Sequence, residues 1–389
     1  MFSYLLIKLA SRCNLDCTYC YWFRDPSVMA LPPTMSIEIL DALSSRIEEH
    51  ISTYQIKSFV CSFHGGEPML FGFRRMQALL LELRGIGERQ RCAMQFAFTT
   101  NGVLINSDWV GLFREFNVSV AVSIDGPPEI HDARRVTVKG RPSWRDAVSG
   151  YFELCKGGLS PAILAVCEPT ADPGAIIDHF SGDLGATFCD ILVPDANNDD
   201  HVTSIAAFYV GLFDHWYDRS MAGKFEIRIL TEMARGLLGL ETKVDTIGFG
   251  PTQTVCVSTD GQIEAHDVLR IAGQIRARTD CNIQSHRLDA VFSDPLWCAV
   301  RDQSTSLSPK CRSCRYKIAC GGGQLAQRWS STQGYDNPSV YCSDYILILD
   351  HIARKMQREL EASGLASCFD DIEIPGSLRP RGSLGLEMR

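Results

Sequence analysis

The sequence lacks any apolar run near the ~18 residues that a membrane-spanning helix needs. Its N-terminus, MFSYLLIKLAS, has no basic start followed by an apolar stretch and a small-residue cleavage site, which argues against export. Positive charge is also short: 38 Lys and Arg face 46 Asp and Glu, for a net charge of −8. Phosphate backbones are held by basic surfaces, so nucleic acid is excluded as a general partner. No internal repeat is visible. These absences imply a cytoplasmic protein without a membrane partner. What is present is 389 residues, 45% of them hydrophobic, enough for two domains or one large barrel with an appendage. The unusual figure is sixteen cysteines. A chain of this length can build a core without disulfide staples, so clustered cysteines point to metal.

Spacing sorts the cysteines. Cys13, Cys17 and Cys20 form one group; Cys311, Cys314, Cys320 and, further on, Cys342 form another. Cys61, Cys92, Cys155, Cys167, Cys189, Cys281, Cys298 and Cys368 mostly stand singly in apolar surroundings, as in KSFVCSF and AILAVCE, and read as small core hydrophobes. Cys256 is treated apart below.

Along the chain, strands are expected at 4–10, 57–63, 94–99, 118–124, 162–167 and 188–193. Helices are expected from the Ser36 cap onward, with Leu40, Leu43, Ile47 and Ile51 on one face, and at 73–84, 107–115, 143–156 and 172–180. This alternation implies a parallel sheet covered by helices, open or closed into a barrel. Polar and glycine-rich stretches follow the strands directly, at the end of a parallel sheet where ligands bind. Residues 1–200 read as this unit and 201–250 as a helical bridge. Residues 251–368 read as a small metal-stabilised domain, closed by a helix carrying Tyr345, Ile348, Ile352, Met356 and Leu360. Residues 369–389 read as a loose tail.

Cys13-x3-Cys17-x2-Cys20 offers three thiolates from one loop. On a four-iron cube three thiolates leave one iron open to a small molecule. Structural zinc would want a fourth Cys or His close by, and none follows. RCNLDCTYCYW, with Tyr19 before the third cysteine, resembles the signature of the radical S-adenosylmethionine (SAM) superfamily. Three further stretches agree: Gly65-Gly66-Glu67-Pro68, Thr100-Asn101-Gly102, and Ser123-Ile124-Asp125-Gly126 with Arg135 beyond, each after its own strand. His64 stands where some relatives have Gln.

The resemblance implies a partial (β/α)6 barrel, a [4Fe–4S] cluster on Cys13, Cys17 and Cys20, and SAM in the loops after the strands. Gly65, Gly66 and the Glu67 carboxylate would meet the SAM amino group, and Ser123 and Arg135 its ribose and carboxylate. Tyr19, Asn101 and Asp125 would complete the site. One electron from such a cluster cleaves SAM to a 5′-deoxyadenosyl radical, which takes a hydrogen atom from substrate. A flavodoxin or ferredoxin would be the external electron donor.

Cys311-x2-Cys314-x5-Cys320 and Cys342 supply four thiolates, a closed site. A zinc ribbon is one reading; the spacing also resembles the second auxiliary cluster of the SPASM domain of peptide-modifying radical SAM enzymes. The pattern's other cluster is incomplete. Cys256 and the Asp260-Gly261 turn match it, but His266 and Gln324 stand where two further cysteines belong. His266 could still ligate iron, and Cys281 or Cys298 could be recruited. The reading adopted is one auxiliary [4Fe–4S] cluster, with the vacated space given to substrate. In sulfatase-maturing relatives the Asp matching Asp267 is the proposed base, so Asp267, with His266 as competitor, is the candidate proton acceptor.

CGGGQLAQRW, with its Arg328-Trp329 pair, and GQIEAHDVLR resemble the altered SPASM region of cyclophane-forming peptide maturases. That resemblance implies abstraction of a side-chain β-hydrogen in a ribosomally made precursor peptide, then attack of the carbon radical on an aromatic ring. Oxidation of a Cys or Ser to an aldehyde, as in sulfatase maturation, is the alternative, with thioether formation or epimerisation beyond it.

Overall fold

The computed structural model describes residues 1–219, 221–273 and 276–362. Cys368, the side chain of Leu360 and the tail expected over 369–389 lie outside the described residues. The strands are β1 (Tyr4–Ala10), β2 (Leu15–Cys17), β3 (Ser58–Gly65), β4 (Ala93–Thr100), β5 (Ser119–Ser123), β6 (Arg135–Thr137), β7 (Ala162–Val166), β8 (Phe188–Leu192), β9 (Glu226–Ile227), β10 (Thr254–Val257), β11 (Gln262–Glu264) and β12 (Arg278–Asn282). Ten of them form one sheet in the order β12-β11-β10-β1-β3-β4-β5-β7-β8-β9; β2 and β6 form a separate ribbon.

From β10 to β9 every pairing is parallel, which the helical crossovers require. The six expected strands are β1, β3, β4, β5, β7 and β8, so the partial barrel is built as anticipated. Strand alternation divides the residues between its two faces. Leu5, Ile7 and Leu9 of β1, with Phe59, Cys61 and Phe63 of β3, are fully buried in the main core cluster. Their alternates Tyr4, Leu6, Ser62 and His64 line an interior cavity.

The covering helices follow their apolar stripes. Helix Ile37–Tyr54 buries Ile39, Leu43, Ile47 and Ile51, and the Ser36 hydroxyl caps it by accepting from the Ile39 N–H at 3.4 Å. Helix Phe73–Gln90 runs a turn and a half past its expected end and buries Met76, Leu79, Leu80, Leu83 and Ile86. Within 201–250, helices Ala206–Asp218 and Arg228–Leu237 flank the two-residue β9, which extends the sheet beyond β8. Among the described residues no helix is long and apolar enough to cross a membrane. Cys61, Cys92, Cys167 and Cys189 lie in the core, as read from their surroundings.

The C-terminal part is not a separate sheet. β10 pairs alongside β1, Tyr4 opposite Thr254 and Leu6 opposite Cys256, and β11 and β12 continue it antiparallel. Gly321, Gly322 and Gly323 all have positive φ (60°, 80° and 71°), which a side chain would resist. Their carbonyls turn inward onto the buried Arg328. Its guanidinium donates to the carbonyls of Gly321, Gly322, Gly323, Gln303 and Ser306 at 2.5–3.3 Å, which matches its full set of donors. The sequence Cys-Gly-Gly-Gly followed by Arg328 is thus a carbonyl cage around a cation, beside Cys320.

Candidate active site

At the carboxyl ends of the strands lies a cavity of about 140 Å³, lined by Cys13, Cys17, Tyr19, Cys20, Gly65, Gly66, Asn101, Ser123 and Arg135. The β1–β2 loop brings in Cys13, β2 ends on Cys17 opposite Arg135 of β6, and Cys20 follows at the start of helix Tyr21–Arg24. Gly65 and Gly66 press against that loop. A Cβ on Gly65 would meet the Ala10 carbonyl oxygen at 2.2 Å, and one on Gly66 the Arg12 carbonyl oxygen at 2.4 Å. Only glycine lets the Gly66 N–H reach the Ala10 carbonyl at 2.9 Å and the Glu67 N–H reach that of Arg12 at 2.8 Å.

Opposite the cysteines, the Tyr19 hydroxyl donates to Asp125 at 2.6 Å and accepts from Arg135 at 2.5 Å, while Arg134 stacks on its ring at 4.3 Å. The Arg135 Nε is buried without a partner, an orphaned donor at the cavity wall. The Asn101 amide donates to Asn14 at 2.8 Å and lies 3.7 Å from the Cys13 sulfur. One expected role needs correcting. The Glu67 carboxylate is buried and accepts from the Met69 N–H, the Thr100 hydroxyl and the Asn101 N–H at 2.9–3.0 Å. It clamps the β4 loop and does not line the cavity, which here is walled by the Gly65 and Gly66 backbone. Burial raises its pKa to about 7 against the pull of those hydrogen bonds.

This cavity adjoins a larger one of about 660 Å³. Tyr21, His64, Thr99, Leu164, Leu192 and Asp195 line both. Asp267 and His266 line the larger, as does Gln324, so the two positions without a cysteine face open space. Asp267 is not free, however. It accepts from the buried Lys8 ammonium and from the Tyr21 hydroxyl, and its Oδ1 lies 3.3 Å from His266 Nδ1. Burial works to raise its pKa, but Lys8 and His266 outweigh it and hold the carboxyl well below its usual range. So placed, Asp267 is a weak base, contrary to the expected role.

His266 is no better a base. Burial lowers its pKa, but Asp245, 2.5 Å from Nε2, and then Asp267 raise it to about 9. Nδ1 also lies 3.3 Å from the Val268 N–H, a contact that would suit the neutral ring. The two flanking carboxylates favour the imidazolium, so iron would have to displace that proton to bind here. Lys8, Tyr21, Asp195 and Asp245 escaped the sequence reading. Lys8 alone gave a signal: a charge at an inward position of an otherwise apolar strand.

A third cavity, of about 210 Å³, is lined by Cys311, Cys314, Cys320 and Cys342 among Tyr316, Tyr345, Ile346 and Leu349. Cys256 stands apart, opposite Glu264 on β11, with Cys281 a strand further on β12 and Cys298 turned to the Phe292 carbonyl at 3.4 Å. Among the described residues no three His, Cys, Asp or Glu side chains converge as the ligands of a single ion would. The two cysteine groups rim cavities instead, a donor set that fits a cluster of several irons.

Residues 7–169 match the family model of the Radical SAM superfamily. The chain is 25% identical to a serine-type anaerobic sulfatase-maturating enzyme of Bacteroides thetaiotaomicron, over 91% of this chain and 90% of that protein. It is 24% identical to a cysteine-type one of Clostridium novyi, over 88% and 93%. Among solved structures, native anSMEcpe with bound AdoMet superposes with a TM-score of 0.80 at 22% identity, covering 92% of this chain and 99% of that one. Streptococcus suis SuiB bound to S-adenosylmethionine gives 0.60 at 16%, covering 88% and 75%; both likenesses concern the fold alone. The chain therefore has the α/β radical SAM fold, and its residues 7–169 match a family that works with a [4Fe–4S] cluster and SAM.

Proposed function

We propose that this protein is a radical SAM maturase that oxidises side chains of a peptide, joining a side-chain β-carbon to an aromatic ring. The observation that carries the reading is the junction of the two cavities, a small one rimmed by three cysteines and a large one wide enough for a peptide segment. In this reading Cys13, Cys17 and Cys20 hold the SAM-binding cluster. The Gly65 and Gly66 backbone, Asn101, Ser123 and the Tyr19–Asp125–Arg135 group hold SAM, and Cys311, Cys314, Cys320 and Cys342 hold one auxiliary cluster. When bound and reduced, cluster and SAM supply a hydrogen-abstracting radical. The chain's own residues orient the peptide, exclude water and take up a proton. An external one-electron donor is required.

The crosslink is favoured by His266 and Gln324, which line the large cavity where the full SPASM pattern has cysteines. A second reading is oxidation of Cys or Ser to an aldehyde, favoured by the similarity to sulfatase-maturating enzymes. Mass spectrometry of precursor peptides encoded beside this gene, co-expressed without oxygen, separates them. A loss of two hydrogens per ring, with fragmentation suppressed inside it, supports the crosslink. A product confined to one Cys or Ser that traps hydrazine supports the aldehyde. Product formed by Cys17→Ala refutes both.

A further inference from the structure

The two residues expected to take a proton are both committed to ion pairs, yet the reaction class proposed above needs an acceptor. A substrate β-carbon radical must lose one proton and one electron to become stable product. After attack on an aromatic ring, the proton leaves the ring carbon. In aldehyde formation it leaves the substrate heteroatom. The electron passes to a one-electron acceptor of the iron–sulfur class.

We propose that Asp195 is the group that receives this proton. The inference rests on the reading that a peptide occupies the large cavity. Asp195 follows β8 by three residues, at the end of the barrel where the cysteine loop lies. It is the one carboxylate, among the described residues, that lines both cavities. No described residue donates a hydrogen bond to it. The other acids near the junction are occupied: Asp267 by Lys8 and Tyr21, Asp245 by His266, and Asp125 by Tyr19. His64, also at the junction, lies 3.2 Å from the Lys8 ammonium; burial and then that charge lower its pKa to about 3, too weak to hold a proton at neutral pH.

The charged surroundings of Asp195 are Asp267, His266, Asp245 and Arg24, with the hydroxyls of Tyr21 and Tyr341 nearby. Burial first, then Asp267, raise its pKa to about 7. A base so poised is ionised for part of its time at neutral pH and still binds a proton well.

The test compares wild type, Asp195→Asn and Asp195→Glu on a precursor peptide deuterated at the reacting β-carbon. Asp195→Asn is expected to lose product about 100-fold or more. It should still form 5′-deoxyadenosine carrying substrate deuterium, and Asp195→Glu should recover part of the rate. Product at the wild-type rate from Asp195→Asn overturns the proposal. So does joint loss of product and 5′-deoxyadenosine, because Asp195 would then act before the proton leaves.

Should wild type modify no peptide, the functional reading fails, and Asp195 is decided on protein with SAM alone. A ¹³C-labelled carboxyl titrating near pH 7 and missing from Asp195→Asn supports the proposal. If none of the Asp carboxyls titrates above about pH 5, the group is an ordinary acid and the proposal falls.

Discussion

The two cysteine sites differ in what surrounds them more than in their thiolates. The Cys13, Cys17 and Cys20 segment looks onto Tyr19, Asn101, Arg135 and Asp195, and its cavity shares a wall with a larger one. The Cys311, Cys314, Cys320 and Cys342 site is walled by Tyr345, Ile346 and Leu349 from helix Cys342–Ala362; Tyr316, Lys310 and Lys317 also line it, but no Asp, Glu or Asn does. Polar groups at a cavity junction can orient a ligand and move protons. Four thiolates among aliphatic side chains and two lysines offer ligands and counter-charge but no carboxylate to move a proton. Three ligands beside a carboxylate and a second cavity point to reactivity, and four beside an aliphatic wall and lysines to structure or electron transfer.

The largest expected effect breaks the first site. Cys17→Ala should abolish 5′-deoxyadenosine and product, and lower iron from about eight to about four per chain. Cys342→Ala should remove a similar amount of iron yet leave 5′-deoxyadenosine formation in place, read by chromatography. If both variants stop SAM cleavage, the division between the sites is false. Next, Arg328→Met strips the cation from five carbonyls beside Cys320. We expect about 3 kcal/mol or more of lost stability in denaturant melts, with SAM binding kept.

A smaller effect is pH-dependent and belongs to the floor of the large cavity. The folded pKa of His266 is raised to about 9, above its usual value near 6.5. Its stabilising ion pairs are fully present below about pH 6.5 and lost as pH rises through about 9. Melting temperature should fall across that window, and His266→Gln should flatten the fall. The smallest change touches neither site: Ser36→Ala removes a helix cap and should cost about 1 kcal/mol without altering iron content.

The barrel was legible because its signals are local. Apolar runs of strand length, a capped amphipathic helix at Ser36 and glycine turns after strands all lie within a few residues. The loops that line the cysteine cavity were legible for the same reason. The floor of the large cavity was not. Lys8 meets Asp267 across 259 positions and Tyr21 meets it across 246, so no window along the chain contains either pair. Arg270 likewise joins Asp25 and Glu264 and stacks on Trp22 at 4.4 Å, tying GQIEAHDVLR to the first cysteine loop. Asp267 was found by resemblance, but its protonation is set by partners that resemblance does not bring. The strands β10 to β12 were missed because they are three to five residues long and partly polar, below what periodicity can register.

The pairing of β1 with β10 bears on how the chain folds. β1 is made before both of its neighbours, and β3, about fifty residues on, can cover one of its edges early. Its other edge waits for residues 254–257. Contacts of such sequence separation are slow to form, and an unpaired apolar edge invites association with other chains. A fragment ending before Thr254 would keep every radical SAM motif and still expose one side of Leu5 and Ile7's strand. Such a fragment should therefore aggregate during synthesis, and β10 serves as cover for a strand made some 250 residues before it.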